Sequence, residues 1–287
     1  MMLCGRCDMP AILIENIETG QVYDCEELGY LTRKFLPQSL QQRQTRQEAV
    51  GSSNGHIYFP QATSYGGRII DWDVIIKGES YMHYLLKRTE FLSLICGKQE
   101  FYVSTKDEPN KLWKVTAPNA IQLPHIVSYA GEAQIQLESS SPFAYSRGTL
   151  DDRFDFSGLW QFGMNIPAIP DEIKYRHKIR RFTIWNLGHA EINPKRINEN
   201  LKIIYEGSSN NLMIRNATTN TAWQYYGSTS AKDIIILEDV FSFKNSQPIF
   251  PETNMEVITL APGPNEIILS GTSGAFEIGF DFQFLFI

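Results

Sequence analysis

A chain of 287 residues has room for two domains, each with a core of its own. An apolar fraction of 43% and a charged fraction of 20% exclude a disordered polymer, and a net charge of −6 gives no reason to expect a general binder of nucleic acid or membrane surfaces. Apolar runs such as Ala11-Ile12-Leu13-Ile14 and Ile234-Ile235-Ile236-Leu237 fall far short of the roughly 20 residues of a membrane span.

The start, Met1-Met2-Leu3-Cys4-Gly5-Arg6-Cys7, has neither a basic leader nor a long apolar core, so no signal peptide and synthesis in a cytoplasm are expected. Cys4 and Cys7 form a CxxC, but no second pair at zinc-site spacing follows, and neither a metal nor a redox role is expected of them. The first elements are strands. Residues 11–17 and 22–25 form an expected hairpin around Glu18-Thr19-Gly20, and Cys25 stands alone.

Phe35-Leu36-Pro37 then opens a polar stretch, residues 38–48, rich in glutamine and carrying Arg43 and Arg46. It reads as an exposed hairpin arm, as a loop ordered only by a partner, or as a plain solvated loop. Its amides and guanidinium groups suit charge-assisted hydrogen bonds to a neighbour. Gly51-Ser52-Ser53-Asn54-Gly55 is a turn cluster, and residues 68–78 are a long strand with Ile70, Trp72, Val74 and Ile76 on one side.

Ser80 is the expected N-cap of a helix whose inward stripe is Tyr81, Leu85, Leu92, Ile95 and Cys96, with Tyr84 and Met82 flanking it and Gly97-Lys98 as the stop. On that face Cys96 is a small buried thiol. A hairpin follows: residues 100–105, the turn Asp107-Glu108-Pro109-Asn110, and the return strand 112–116. Residues 132–138 alternate strictly, with Ala133, Ile135 and Leu137 buried, and end in Ser141-Pro142-Phe143-Ala144-Tyr145. Helix, hairpin and closing strand make an α+β unit that the earlier strands complete.

Residues 147–176 hold no sustained period and are dense in proline, glycine and isolated aromatics, which marks a connector. The remainder is strand signal: residues 178–188, 201–205, 212–215, 223–226, 233–237, 241–243, 257–260 and 266–269. Turns are expected at Gly207-Ser208-Ser209-Asn210-Asn211, Thr218-Thr219-Asn220, Lys244-Asn245-Ser246 and Ala261-Pro262-Gly263-Pro264-Asn265. In the last strand Phe276, Ile278, Phe280, Phe282, Phe284 and Phe286 share one face. Many short strands at this spacing imply a β-sandwich or barrel.

Motifs of catalysis are missing: there is no GxSxG, Walker loop, HExxH or GxGxxG. Asp151, Asp152 and Asp155 sit in the connector, where solvated loop acids are the plain reading. His56, His83, His125, His177 and His189 have no metal-ligand spacing. Trp223, Tyr225 and Tyr226 allow a sugar-stacking platform, although alternate burial in a core explains them as well. No catalytic, cofactor-binding or metal-binding residue is therefore assigned, and no cofactor is expected.

The order of these elements resembles the distal tail proteins of siphovirus-type bacteriophages, those with long non-contractile tails. In the first half the resemblance lies in Arg68-Ile69-Ile70 and its strand, Phe91-Leu92-Ser93-Leu94-Ile95, Glu100-Phe101-Tyr102-Val103, Lys111-Leu112-Trp113-Lys114-Val115 and the strand ending Ser141-Pro142-Phe143-Ala144-Tyr145. In the second half it lies in Phe182-Thr183-Ile184-Trp185-Asn186-Leu187-Gly188, Ile192-Asn193-Pro194, Met213-Ile214-Arg215-Asn216-Ala217-Thr218-Thr219 and Leu260-Ala261-Pro262-Gly263-Pro264-Asn265. It covers residues 11–287 but not the Cys4/Cys7 start or residues 159–176.

The resemblance implies a mainly β, two-domain protein. Residues 1–148 are the expected ring-forming belt domain, an α+β sandwich with one helix and an extended hairpin arm; 149–176 are the connector; 177–287 are a galectin-like β-sandwich. It further implies a structural hub of the virion rather than an enzyme: a homo-oligomer, a hexameric ring and in some cases back-to-back rings, at the distal end of the tail. Its implied partners are the tail tube protein, a tail-associated tip protein, and receptor-binding or baseplate proteins engaged during host adsorption, with no nucleic acid or membrane among them. Two other classes stay open at this point: a carbohydrate-binding module for host-wall polysaccharide, and a wall-degrading hydrolase, whose two placed carboxylates no sequence of 32 acids excludes.

Overall fold

A computed structural model describes residues 10–43, 46–48, 56–58, 64–147 and 173–287; of residues 46–48 and 56–58 only the backbone is described. The chain divides into two compact units, residues 1–144 with Ile287, and residues 145–286. Both are built mainly of antiparallel strands, and the described residues contain one α-helix.

The first unit contains β1 (Ile12–Asn16), β2 (Val22–Asp24), β3 (Tyr30–Pro37), β4 (Gln42–Arg43), β5 (Arg46–Glu48), β6 (His56–Tyr58), β7 (Ser64–Tyr65) and β8 (Arg68–Lys77). Helix α1 (Tyr81–Ile95) follows, then β9 (Phe101–Thr105), β10 (Lys111–Val115), β11 (His125–Val127) and β12 (Ala130–Ser139). One sheet runs β11-β12-β8-β3 and another carries β2-β1-β9-β10. The expected hairpins are present. Between β1 and β2, Asn16 Oδ1 accepts from the backbone N–H groups of Glu18 and Thr19, and Gly20 takes φ +67°.

Alternation along β8 and β12 decides which face is core. Ile70, Trp72, Val74 and Ile76 are fully buried, and Ala133, Ile135 and Leu137 oppose them in register. Helix α1 covers this face. Ser80 Oγ accepts from the His83 N–H at 3.2 Å, satisfying one of the free donors of the first turn. The helix faces differ from the expected stripe. Tyr84, Phe91 and Ile95 point inward, where Phe91 meets Tyr30 and Trp72 edge to face at 5.0 and 5.6 Å, while Tyr81 is half exposed. Cys96, at the C-cap, is exposed rather than buried; Cys25 is the buried thiol, and burial pushes its pKa up to about 12.

Tyr145 and Ser146 of β13 (Ala144–Ser146) open the second unit. Next come β14 (Arg176–His177), β15 (Arg181–Asn186), β16 (Leu201–Asn216), β17 (Thr221–Gln224), β18 (Ser228–Thr229), β19 (Ile234–Glu238), β20 (Phe241–Lys244), β21 (Gln247–Pro248), β22 (Gly263–Phe282) and β23 (Leu285–Phe286). Two long strands, β16 and β22, organise it. The N- and C-terminal halves of β16 serve different neighbours: residues 202–206 pair with β19 and residues 213–216 with β17, while β22 pairs with both halves. Trp223 on β17 donates to Ser242 Oγ on β20 at 3.0 Å, so the two halves face each other across one core as a β-sandwich.

The expected turn at residues 207–211 is therefore absent. Gly207 (φ +144°) and Asn211 (φ +54°) instead bend a continuous strand where the ladder to β22 shifts register. Opposite, Gly271 takes φ +77°, and a Cβ there would fall on the Asn211 carbonyl oxygen. Alternation holds for Ile278, Phe280 and Phe282, but Phe276 is half-buried, the strand breaks after Phe282, and Phe284, Leu285 and Phe286 are then all buried.

Residues 257–260 are buried but form no strand; a single bridge joins Leu260 to Ile192. Three buried asparagines take over the work of a ladder there. Asn216 Nδ2 donates to the Thr259 carbonyl (2.7 Å) and to Asn265 Oδ1 (3.0 Å). Asn265 closes on the Ala261 N–H and carbonyl (2.9 and 2.8 Å), and Asn186 donates to the Leu260 and Ala190 carbonyls. Each is at most 1% exposed. The asparagines lie in three of the second-half motifs noted above, and between them they satisfy buried backbone groups of this segment.

Candidate interaction surfaces

Residues 38–67 leave the first unit's sheet between β3 and β8. The Gln38 N–H still donates to the Ile69 carbonyl, but beyond it, among the described residues, β4 pairs only with β7 and β5 only with β6, in register Arg46↔Tyr58, Gln47↔Ile57 and Glu48↔His56. The polar stretch is thus one side of a two-stranded arm, and its return strand at residues 56–58 is an element the sequence reading lacked.

The root of the arm is fixed by Arg68, which is 8% exposed. Its Nε donates to the Gln38 carbonyl at 2.5 Å, one terminal nitrogen donates to the Pro142 carbonyl at 3.2 Å, and the guanidinium lies 4.7 Å over the Trp113 ring. Carbonyl oxygens and a π face replace a carboxylate here, and burial lowers the arginine's pKa. Gly67 is required beside it, since a Cβ would stand 2.6 Å from the Ser139 carbonyl oxygen.

A second surface lies at the β11 edge of the same sheet. Tyr81, Met82 and Leu86 on α1, and Ile126, Val127 and Tyr129 on and after β11, are all exposed. The His125 ring stands 6.1 Å from Tyr81 and 5.0 Å from Tyr84, joining the two elements, and the buried Tyr84 hydroxyl has no hydrogen-bond partner.

The outer face of β3, β8 and β12 is polar. A cleft of about 470 Å³ there is lined by Lys34, Asp71, Asp73, Asn119, Gln134 and Gln136. Asp71 accepts from Gln38 and Gln136 and pairs with Lys34 at 3.8 Å, so its carboxylate is engaged by neutral and positive donors rather than poised against a second acid. Among the described residues no three His, Cys, Asp or Glu side chains gather to hold a metal ion. Cys4, Cys7, Asp151, Asp152 and Asp155 lie outside the described residues, as does the side chain of His56.

The aromatic residues weighed as a sugar platform do not form one. Trp223 and Tyr225 are buried, and only Tyr226 is exposed. His83 is bonded by the Glu79 N–H, His177 stacks on Phe182, and His189 packs against Phe286.

Residues 23–139, which hold the arm, its root and the apolar surface, match the family described as "Phage tail protein RIFT-related domain". The whole chain also has the fold of Dit (gp 19.1) of phage SPP1, described as a paradigm of the hub adsorption apparatus in phages infecting Gram-positive hosts. The TM-score is 0.66 at 13% identity, over 96% of this chain and 99% of that one. Chains in the phage p2 baseplate in its activated conformation, with strontium and with calcium, align at a TM-score of 0.46 and 12% and 14% identity, covering 96% of this chain and 98% of theirs. No curated protein sequence matches the chain. The mainly β architecture, with one helix among the described residues, is that expected from the sequence.

Proposed function

We propose that this protein is the distal hub of a siphovirus-type phage tail, a structural component of the virion rather than an enzyme. Six copies form a ring through the tail RIFT-related domain, and the ring joins the tail tube and tip protein to the baseplate or receptor-binding proteins used in adsorption. The observation that carries this reading is the co-linear match: a tail-domain family over residues 23–139, within a chain that takes the SPP1 Dit fold over both units. The second unit is, in this reading, a galectin-like sandwich that projects outward and holds those proteins. Extended polar and apolar surfaces suit assembly better than turnover.

The two parts, residues 1–148 and 177–287 about a connector at 149–176, are separable domains in this reading. Limited proteolysis should cut between Arg147 and Arg176 and leave both parts folded. Ile173 and Tyr175 are buried within the second unit, so a stable fragment retains them. Light scattering with negative-stain microscopy of the purified chain tests the ring: six-membered rings, alone or stacked, are expected. Antibody against the chain should label the tail tip of the intact virion, and labelling elsewhere or none overturns the assignment.

A further inference from the structure

Residues 174–181 place five cations, Lys174, Arg176, Lys178, Arg180 and Arg181, in eight positions without a carboxylate, in a chain whose net charge is −6. The segment belongs to the second unit, where β14 and β15 pair with different stretches of β22. Between the two strands the chain turns tightly. The His177 and Phe182 rings stack at 4.1 Å, which leaves Lys178, Ile179, Arg180 and Arg181 as the tip of the turn. His177 Nε2 donates to the Lys174 carbonyl at 2.8 Å. The Arg180 carbonyl accepts from the Leu269 N–H at 2.8 Å, and the Arg180 guanidinium donates to the Thr272 carbonyl at 3.0 Å. The tip is thus held in place before anything binds it, which lowers the ordering cost of a contact.

Positive charge at this tip exceeds the acids beside it. Glu277 serves both Arg176 (3.5 Å) and Lys178 (3.1 Å), and Glu266 meets Arg181 at 2.5 Å. Among the described residues no carboxylate pairs with Lys174 or Arg180. The side chains of Lys178 and Arg181 stay 76% and 72% exposed, and Ile179 between them is 59% exposed. Cations alone would suit any polyanion. Ile179 adds a second demand, because its surface gains from burial against another apolar side chain, which a phosphate polymer does not offer. Phe182, the ring on which a nucleic-acid base could stack, is buried. Acidic residues around an apolar one, on a protein segment, answer both demands.

We propose that the basic tip at residues 178–181, with Lys174 beside it, docks a short acidic segment of a partner protein whose apolar residue covers Ile179. This rests on the reading that the second unit holds other proteins, and it names the surface and the chemistry of the contact. Fluorescence anisotropy of the full chain tests it with two labelled peptides, one in which a leucine is flanked by glutamates and one with serine in place of that leucine. A linear polyphosphate is the third probe. The leucine peptide should bind saturably and roughly tenfold more tightly than the serine peptide, the margin expected from burying one apolar side chain. Ile179→Ser should remove that margin, and the double variant Lys174→Glu, Lys178→Glu should weaken both peptides by roughly tenfold or more. The comparison of the two peptides on the parent chain needs no variant, so a misfolded variant does not shield the proposal. Equal binding of both peptides, polyphosphate bound as tightly as the leucine peptide, or no saturable binding overturns it. Tail-tip labelling by antibody is unaffected by any of these results, so failure of the docking site and failure of the hub assignment are told apart.

Discussion

Asn216 offers the sharpest test of how the second unit is held. Its amide donates to the Thr259 carbonyl and Asn265 Oδ1, and its Oδ1 accepts from the Thr218 N–H at 3.0 Å. Asn216→Ala removes all three. The Thr259 carbonyl keeps the Thr219 hydroxyl and Asn265 Oδ1 keeps the Ala261 N–H, so only the Thr218 N–H is orphaned. At roughly 1 kcal/mol net per bond the loss is about 3 kcal/mol. For a unit of this size that lowers Tm by about 10 °C. Asn216→Asp keeps the shape and the Thr218 bond but turns the donor into an acceptor facing two oxygens in a fully buried site. Its folded pKa should rise above the unfolded value. The folded state then holds the proton more tightly, and stability falls as pH increases from about 4 upward. Calorimetry between pH 4 and 7, with hydrogen exchange of the 257–265 segment, measures both effects. A loss below about 1 kcal/mol for the alanine variant, or an aspartate variant no weaker at pH 7 than at pH 4, refutes the network as a substitute for the strand ladder.

Asp233 gives a second pH signature. The Ser230 N–H at 2.8 Å, then Asn245 Nδ2 at 2.8 Å, hold its carboxyl down at about 2 from 3.8, so its contribution is complete above pH 4 and lost as pH falls toward 2. The Tm difference between the parent and Asp233→Asn should close over that window in a thermal melt. Gly271→Ala forces a Cβ at φ +77° onto the Asn211 carbonyl and should cost about 2–4 kcal/mol by urea denaturation, whereas Gly20→Ala, at φ +67° in open space, should cost about 1. Ser80→Ala should cost about 1 kcal/mol and speed hydrogen exchange at His83.

Strict periodicity made much of this architecture legible. Residues 68–78 and 132–138 declare their buried face because alternation allows no other choice, and Ser80 announces the helix through its cap. Local chemistry misled where a residue type serves two ends. Gly207-Ser208-Ser209-Asn210-Asn211 has the composition of a turn, but glycine and asparagine at positive φ also bend a continuous strand. Residues 257–260 are apolar enough to be a strand, yet their carbonyls are met by side chains distant in sequence, which no local pattern reveals. The helix stripe was misassigned because Tyr81 and Leu85 are as apolar as Tyr84 and Phe91. Hydrophobicity identifies surfaces to be covered, and only the neighbouring elements show which is covered within the chain.

The Ser146 N–H donates to the Phe284 carbonyl and the Phe284 N–H donates to the Ser146 hydroxyl oxygen, at 3.0 Å each across 138 residues, and Phe284 and Phe286 are wholly buried. This pairing orders events during synthesis. By residue 139 the ribosome has delivered every strand of the first unit's main sheet, which is free to fold. The second unit cannot close until residues 284–286 emerge, roughly 7–30 s later at ordinary elongation rates. Until then β13 lacks its partner and the sandwich core lacks its last phenylalanines. A chain stopped short of Phe284 therefore carries the first unit's main sheet and a second unit that lacks its last buried phenylalanines.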